Sequence, residues 1–148
     1  MTGNLDPTDW AILAELQRDG RIALSELGRR VNLSASATTE RVRRLESAGV
    51  ITGYRAEVDL AKVGYAVLAV VRLKYPGNRH EPLHALLAGR PEILECLRTT
   101  GDDCYTLKVA ATSMPHLEQV VNDLTGFGST TTNIVYSQTL PYRGVSPA

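Results

Sequence analysis

The hydrophobic rhythm of this chain changes once, near Gly64, and that change constrains the fold more than any other feature. Before it, apolar residues recur at helical spacing, as on a helix buried along one face. After it, they run together in β-branched stretches, as in strands. "LDPTDWAILAELQRDG" offers Asp6 as an N-cap, Pro7 at the first helical position and Asp9 in the first turn. Ile12, Leu13 and Leu16 form its apolar stripe with Trp10 alongside, and Gly20 stops it. A second, short helix is expected over about 24–31, burying Leu24, Leu27 and Val31. "NLS" turns the chain, Ser34 caps a third helix that runs to about Ala48, and Gly49 closes it. The residues that follow, "VITGYRAEVDL", read as extended.

In the second half, "YAVLAVVRLKY" is a strand stopped by "PGN", and "EPLHALLAG" is helical. Strands around "EILECLRTT" and "CYTLKVAAT" flank the turn "GDD". Ser113 and Pro115 cap the helix "MPHLEQVVNDL", and "TTNIVYSQTL" is the last strand. The order β-α-β-β-α-β is that of a ferredoxin-like split βαβ unit. Along the first strand Val67, Ala69, Val71 and Leu73 point one way, while Ala66, Leu68 and Val70 point the other. Helices can cover only one of these apolar faces, so a second copy is expected on the other, making an obligate homodimer.

Composition narrows the classes. The 148 residues allow one or two domains; 43% apolar and 22% charged residues describe a globular chain. No apolar run reaches the roughly 18 residues of a membrane span, and the N-terminus lacks the pattern of a signal peptide. A cytoplasmic location is expected, in which Cys96 and Cys104 are reduced core thiols, able to pair on oxidation only if they face each other in a hairpin. The net charge of zero conceals a local surplus, since residues 20–55 hold seven arginines against three glutamates. Arginine forks onto phosphates and guanine edges, so this surplus fits a DNA-binding module joined to something else.

The third helix sorts by face. At about 100° per residue, Thr38, Val42 and Leu45 cluster toward the first two helices, and Ser36, Glu40, Arg43 and Ser47 stand opposite. Thr39 and Arg44 flank the outer face, and Arg41 lies nearer the core edge. Small hydroxyls at the N-terminal end let a backbone approach DNA closely and can bond phosphates or bases. An ordinary amphipathic helix remains the bland alternative, with Ser34 fully explained as a cap. The candidate DNA-contacting residues are Ser34, Ser36, Thr39, Glu40, Arg41, Arg43 and Arg44.

These residues resemble a family. The opening Leu-Asp-x-x-Asp-x-x-Ile-Leu, Asp-Gly-Arg at 19–21, Leu33-Ser34, Arg41-Val42-x-x-Leu45-Glu46 and Gly49-Val50-Ile51 follow the order of the Lrp/AsnC (feast/famine) transcription regulators. The resemblance spans nearly the whole chain, specifically in the first sixty residues and by topology afterwards. It implies an α+β protein with a winged, three-helix helix-turn-helix domain over 1–60. A βαββαβ ferredoxin-like, RAM-type domain over 61–148 would sense a ligand and form oligomers. It further implies dimers that often assemble into octamers, and effectors that are usually amino acids.

The densest polar cluster of the second half is "TTGDDCY", Thr99, Thr100, Gly101, Asp102, Asp103 and Tyr105 among them. Gly101 frees the backbone to present N–H groups to a carboxylate, and Asp102 or Asp103 can take an ammonium group. A plain hairpin turn accounts for the same residues. The resemblance favours an effector pocket between subunits, matched best by Gly101 and Asp103. "GFGSTTT" departs from the family's later glycine pattern; there Thr131 and its neighbours supply hydroxyls or are simply strand formers. No nucleophile elbow, phosphate-binding loop or Cys-x-x-Cys is present. His80 and His84 have metal-pair spacing without an evident third ligand and read as a surface pair. Three functions therefore compete: a DNA-binding regulator with an amino-acid effector, an effector-independent DNA-organising protein of the same fold, and an enzyme or carrier whose helical half serves assembly.

Overall fold

The computed structural model describes residues 5–147. They form two compact units, one running to Glu57 and resuming at Leu140, the other spanning Val58–Thr139. This differs from the expected division at residue 60, chiefly at the C-terminus. The Gln17 side-chain amide donates to the Val145 carbonyl (3.0 Å) and accepts from the Val145 N–H (2.8 Å), while Arg55 lies 5.9 Å from the Tyr142 ring centre. Contacts of this kind join residues far apart in sequence and leave no periodic trace.

The first unit contains α1 (Pro7–Arg18), α2 (Leu24–Arg30) and α3 (Ala35–Ser47). Asp6 caps α1, accepting from the Asp9 N–H at 2.8 Å, and Asp9 reciprocates from its side chain in a capping box. Ser34 caps α3, as its place before the first apolar residues demands. Ile12, Leu13, Leu27, Val42 and Leu45 make the core, with Leu16, Val31 and Trp10 partly buried around it. Leu24 is 38% exposed, not buried as expected: it shares a face with the buried Leu27 and Gly28 but stands at the first position of α2, one turn before them. After α3 the chain is exposed from Thr52 to Asp59 and forms no strand pair among the described residues.

Close packing of α2 on the turn into α3 depends on Gly28. A Cβ there would lie 2.7 Å from Thr38 Oγ1 and 2.8 Å from the Leu33 carbonyl oxygen. Both neighbours are fixed: the Thr38 hydroxyl donates to the Ser34 carbonyl (2.8 Å), and the Leu33 N–H donates to the Gly28 carbonyl (2.8 Å). Gly28→Ala should therefore cost about 1–3 kcal/mol through overpacking, read as a lower unfolding midpoint of this unit. An unchanged midpoint would show slack between the helices.

The second unit follows the expected order: β1 (Val67–Lys74), α4 (Glu81–Ala88), β2 (Ile93–Arg98), β3 (Tyr105–Ala111), α5 (Met114–Thr125) and β4 (Ser129–Ile134). The strands form one antiparallel sheet in the order β2-β3-β1-β4. β4 ends at Ile134, opposite Ala69 and earlier than expected, with one further bond from the Val135 N–H to the Leu68 carbonyl (2.9 Å). Ala69, Val71, Leu73, Leu107 and Val109 are fully buried between sheet and helices. The opposite face is less uniformly apolar than expected. Leu68 and Val70 are half-buried and Ala110 is buried, but Arg72, Lys74 and Lys108 share that face. The register sets Cys96 opposite Leu107, while Thr99 faces Cys104, so the two thiols are not cross-strand partners.

Candidate nucleic-acid interface and ligand loop

α3 buries Thr38, Val42 and Leu45 and exposes Ser36, Glu40, Arg43, Arg44 and Ser47. Its hydroxyls are partly committed. The Ser34 hydroxyl oxygen accepts from the Ala37 N–H and lies 3.2 Å from Ser36 Oγ. The Thr39 hydroxyl donates to the Ala35 carbonyl of its own helix (2.8 Å), which commits its proton, and the residue is half-buried.

The arginines divide more sharply. Arg41 Nη1 donates to Asp6 Oδ2 (2.7 Å) and Asp9 Oδ1 (2.9 Å), and Arg44 Nη2 donates to both Asp9 oxygens (2.7 and 2.8 Å). Asp9 thus spends a carboxylate that is only 3% exposed on two guanidiniums. Arg41, expected among the DNA contacts, ties α3 to the N-cap and first turn of α1. Arg44, expected to face outward, has one nitrogen bound in the same way while its side chain stays 59% exposed. Arg43 has no carboxylate partner among the described residues.

The same holds across the basic segment. Glu26 accepts from Arg29 and Arg30, which hold its carboxyl down at about 2, and Glu15 accepts from Arg30 and Arg18. The surplus counted between residues 20 and 55 is largely cancelled by acids of α1 lying before it. Arg21, Arg43 and Arg55 are its arginines without a carboxylate partner among the described residues. In the sequence Asp6 is legible only as a cap and Asp9 only as a first-turn acid, which conceals their second use.

In the second unit, the turn between β2 and β3 opens at Gly101, whose φ of 97° is left-handed. Thr99 braces the turn, its hydroxyl donating to the Asp103 carbonyl (2.8 Å) and its N–H to that of Cys104 (2.9 Å), and Thr100 is exposed. Asp103 lies 3.6 Å from Arg72, and Asp102 lies 3.4 Å from Lys74. Thr131 of β4 stands directly opposite Arg72, on the same sheet face and exposed. Thus Asp103, Arg72 and Thr131 come together as neighbours. Arg72 and Lys74 were missed from sequence, although strict alternation along β1 assigns both to the open face.

Tyr105 does not join them. It pairs with Leu73 on the helix-covered face and is 2% exposed. Its hydroxyl is 2.8 Å from His80 Nδ1 and 3.2 Å from His84 Nε2, and burial pushes the phenol pKa up. The histidine pair lies at the surface as expected, His84 exposed and His80 half-buried, and brackets this hydroxyl, with Tyr75 and Phe127 close by. Among the described residues no group of three or more His, Cys, Asp or Glu is placed to hold a metal. None of their helices is long and apolar enough to cross a membrane.

Comparison with known proteins assigns both units. Residues 5–52 match a family model for winged helix-turn-helix DNA-binding, and residues 68–145 match the Lrp/AsnC ligand binding domain. The transcriptional regulator LrpC of Bacillus subtilis is 37% identical over 134 residues, covering 90% of this chain and 93% of LrpC. The LrpC structure superposes with a TM-score of 0.90 at 35% identity, over 95% of this chain and 100% of that one. A feast or famine regulatory protein from M. tuberculosis, solved with L-methionine, matches at TM-score 0.90 and 33% identity over 97% of this chain and 100% of its own. A regulator from Neisseria meningitidis, also solved with L-Met, matches at TM-score 0.88 and 30% identity over 97% of each chain. Such relatives are regulators rather than enzymes. With a helix-turn-helix in its first unit and the ligand-binding sheet in its second, the chain belongs to the Lrp/AsnC family of transcriptional regulators.

Proposed function

We propose that the protein is a homodimeric, DNA-binding regulator that responds to an α-amino acid at the β2–β3 turn. Each dimer offers two copies of α3 to a roughly two-fold DNA site, with Ser36, Glu40 and Arg43 at the base edges and phosphates. The half-buried Leu68 and Val70 with the exposed Leu97 supply an apolar seam for a second copy on the open sheet face. A monomer by light scattering at micromolar concentration would defeat the dimer.

The observation that carries the effector reading is the Asp103–Arg72 pair. Its 3.6 Å separation is longer than a good hydrogen bond, and it lies beside Gly101 and opposite Thr131. A zwitterion can separate such a pair, its ammonium group on Asp103 and its carboxylate on Arg72 and the turn's N–H groups. Two similar proteins have been solved with L-methionine, which makes it the first compound to try. The effector acts by binding one arrangement of dimers more tightly than another.

Thermal-shift screening of the twenty amino acids tests this reading. A ligand at one hundred times its Kd stabilises by about 2.7 kcal/mol, raising the midpoint of the wild type but not of Asp103→Asn. A specific observation favours a second reading: Asp102 and Asp103 already have cationic partners, so the turn is neutral without a ligand. If none of the twenty shifts the midpoint while DNA binding persists, the protein is an effector-independent DNA organiser.

A further inference from the structure

Two carboxylates and two guanidiniums meet where α1 crosses α3, and their charges cancel. Asp6 and Asp9 face Arg41 and Arg44, with every contact between 2.7 and 2.9 Å. Solubility does not require such an arrangement, since arginines on an exposed helix are soluble unpaired. Nor is it limited to the core, because the Arg44 side chain is 59% exposed and Asp6 43%. Its consequence is electrostatic. α3 carries three arginines within four residues, and the network leaves Arg43 as the one without a carboxylate partner among the described residues.

We infer that Asp6 and Asp9 are specificity-determining residues, which mask Arg41 and Arg44 so that Arg43 is the only arginine of α3 to engage DNA. The inference rests on the proposal that α3 is the DNA-contacting helix. Its physical basis is counterion release: every cation that reaches a phosphate adds affinity for all sequences alike. A recognition helix with three free arginines would bind any duplex strongly and discriminate poorly, since phosphate contacts position and base contacts specify. Neutralising two of them lowers that common term and leaves the discriminating contact to a single side chain. The mask persists at neutral pH, because the hydrogen bond from Arg41 holds the Asp6 carboxyl below the usual carboxylate range.

Asp6→Asn and Arg44→Gln test the inference without emptying the core. Asparagine caps a helix about as well as aspartate, and both side chains are substantially exposed, so the fold should survive, as a melting curve would verify. Binding would be measured from 50 to 300 mM salt on a 40-base-pair duplex of random sequence and on a duplex selected in vitro by the wild-type protein. With Asp6→Asn, one carboxylate must serve two guanidiniums. The expected result is several-fold tighter binding to the random duplex, a salt slope steeper by about one per recognition helix, and a smaller preference for the selected duplex. Arg44→Gln should leave the slope and the preference unchanged.

A purely structural role for the network predicts the reverse for Asp6→Asn: weaker binding to both duplexes with the slope unaltered. That result would overturn the inference. So would a slope reduced by about one in Arg44→Gln, because Arg44 would then touch phosphate while held by Asp9. If the wild type bound neither duplex at 50 mM salt, the assignment of α3 to DNA would fail first and take the inference with it.

Discussion

Leu45→Ala should unfold the N-terminal unit at temperatures where the C-terminal unit remains folded. Leu45 is 2% exposed and lies in a core with Ile12, Leu13, Leu27 and Val42. Large-to-alanine substitutions at such sites cost about 2–5 kcal/mol, the lost transfer free energy plus the cavity left behind. A unit of this size buries a smaller share of its surface than a larger domain does, about 60%, and its total stability is of the same order as that loss. Leu45 also anchors the end of α3, because its carbonyl accepts from both the Val50 N–H (2.9 Å) and the Ile51 N–H (3.1 Å). Alanine keeps that carbonyl, so the loss comes from the packing of the side chain. DNA binding should disappear at 37 °C, while the far-ultraviolet signature of the sheet persists. A variant that melts as one unit with the wild-type midpoint would show that the core of α1–α3 does not stand alone.

Elements with local causes were legible in the sequence. Asp6, Ser34 and Ser113 cap the helices they were expected to cap, since a cap is written within three residues of the group it serves. The alternation of β1 correctly separated Ala69, Val71 and Leu73 from Leu68 and Val70. What was not legible depended on partners distant in sequence. Arg41 and Arg44 were assigned to DNA by their place on a helical wheel, but their partners lie 32 to 35 residues earlier. Tyr105 was assigned to the polar turn by proximity, yet a residue one step into a strand takes whichever face the pleat dictates. His80 and His84 do lie at the surface, half-buried and exposed, but nothing local announces the buried Tyr105 hydroxyl between them. Residues 140–147 read as part of the second unit by continuity, although they group with the first and Val145 exchanges two hydrogen bonds with Gln17.

Arg43→Ala should then produce the largest functional loss of any exposed substitution. Arg41 and Arg44 are held by Asp6 and Asp9, and Thr39 by its own helix, so Arg43 is left as the strongest donor on the outer face of α3. Removing a bidentate arginine–guanine contact costs about 1–3 kcal/mol per site. A dimer that presents two helices loses about twice that, enough to weaken binding to a selected duplex by about thirty-fold at the least and by about four orders of magnitude at the most. The stability of the protein should not change, because the side chain is exposed and makes no ion pair among the described residues. Two roles can be told apart by the pattern of loss. If Arg43 reads a base, discrimination relaxes at one position of each half-site. If it contacts phosphate only, binding falls evenly across sequences and the salt slope drops by about one per helix. The charge arrangement of α1 and α3 favours the first, because a helix whose other arginines are neutralised gains little from sequence-blind attraction. Unchanged affinity, slope and preference would remove Arg43 from the interface and leave α3 without its principal recognition residue.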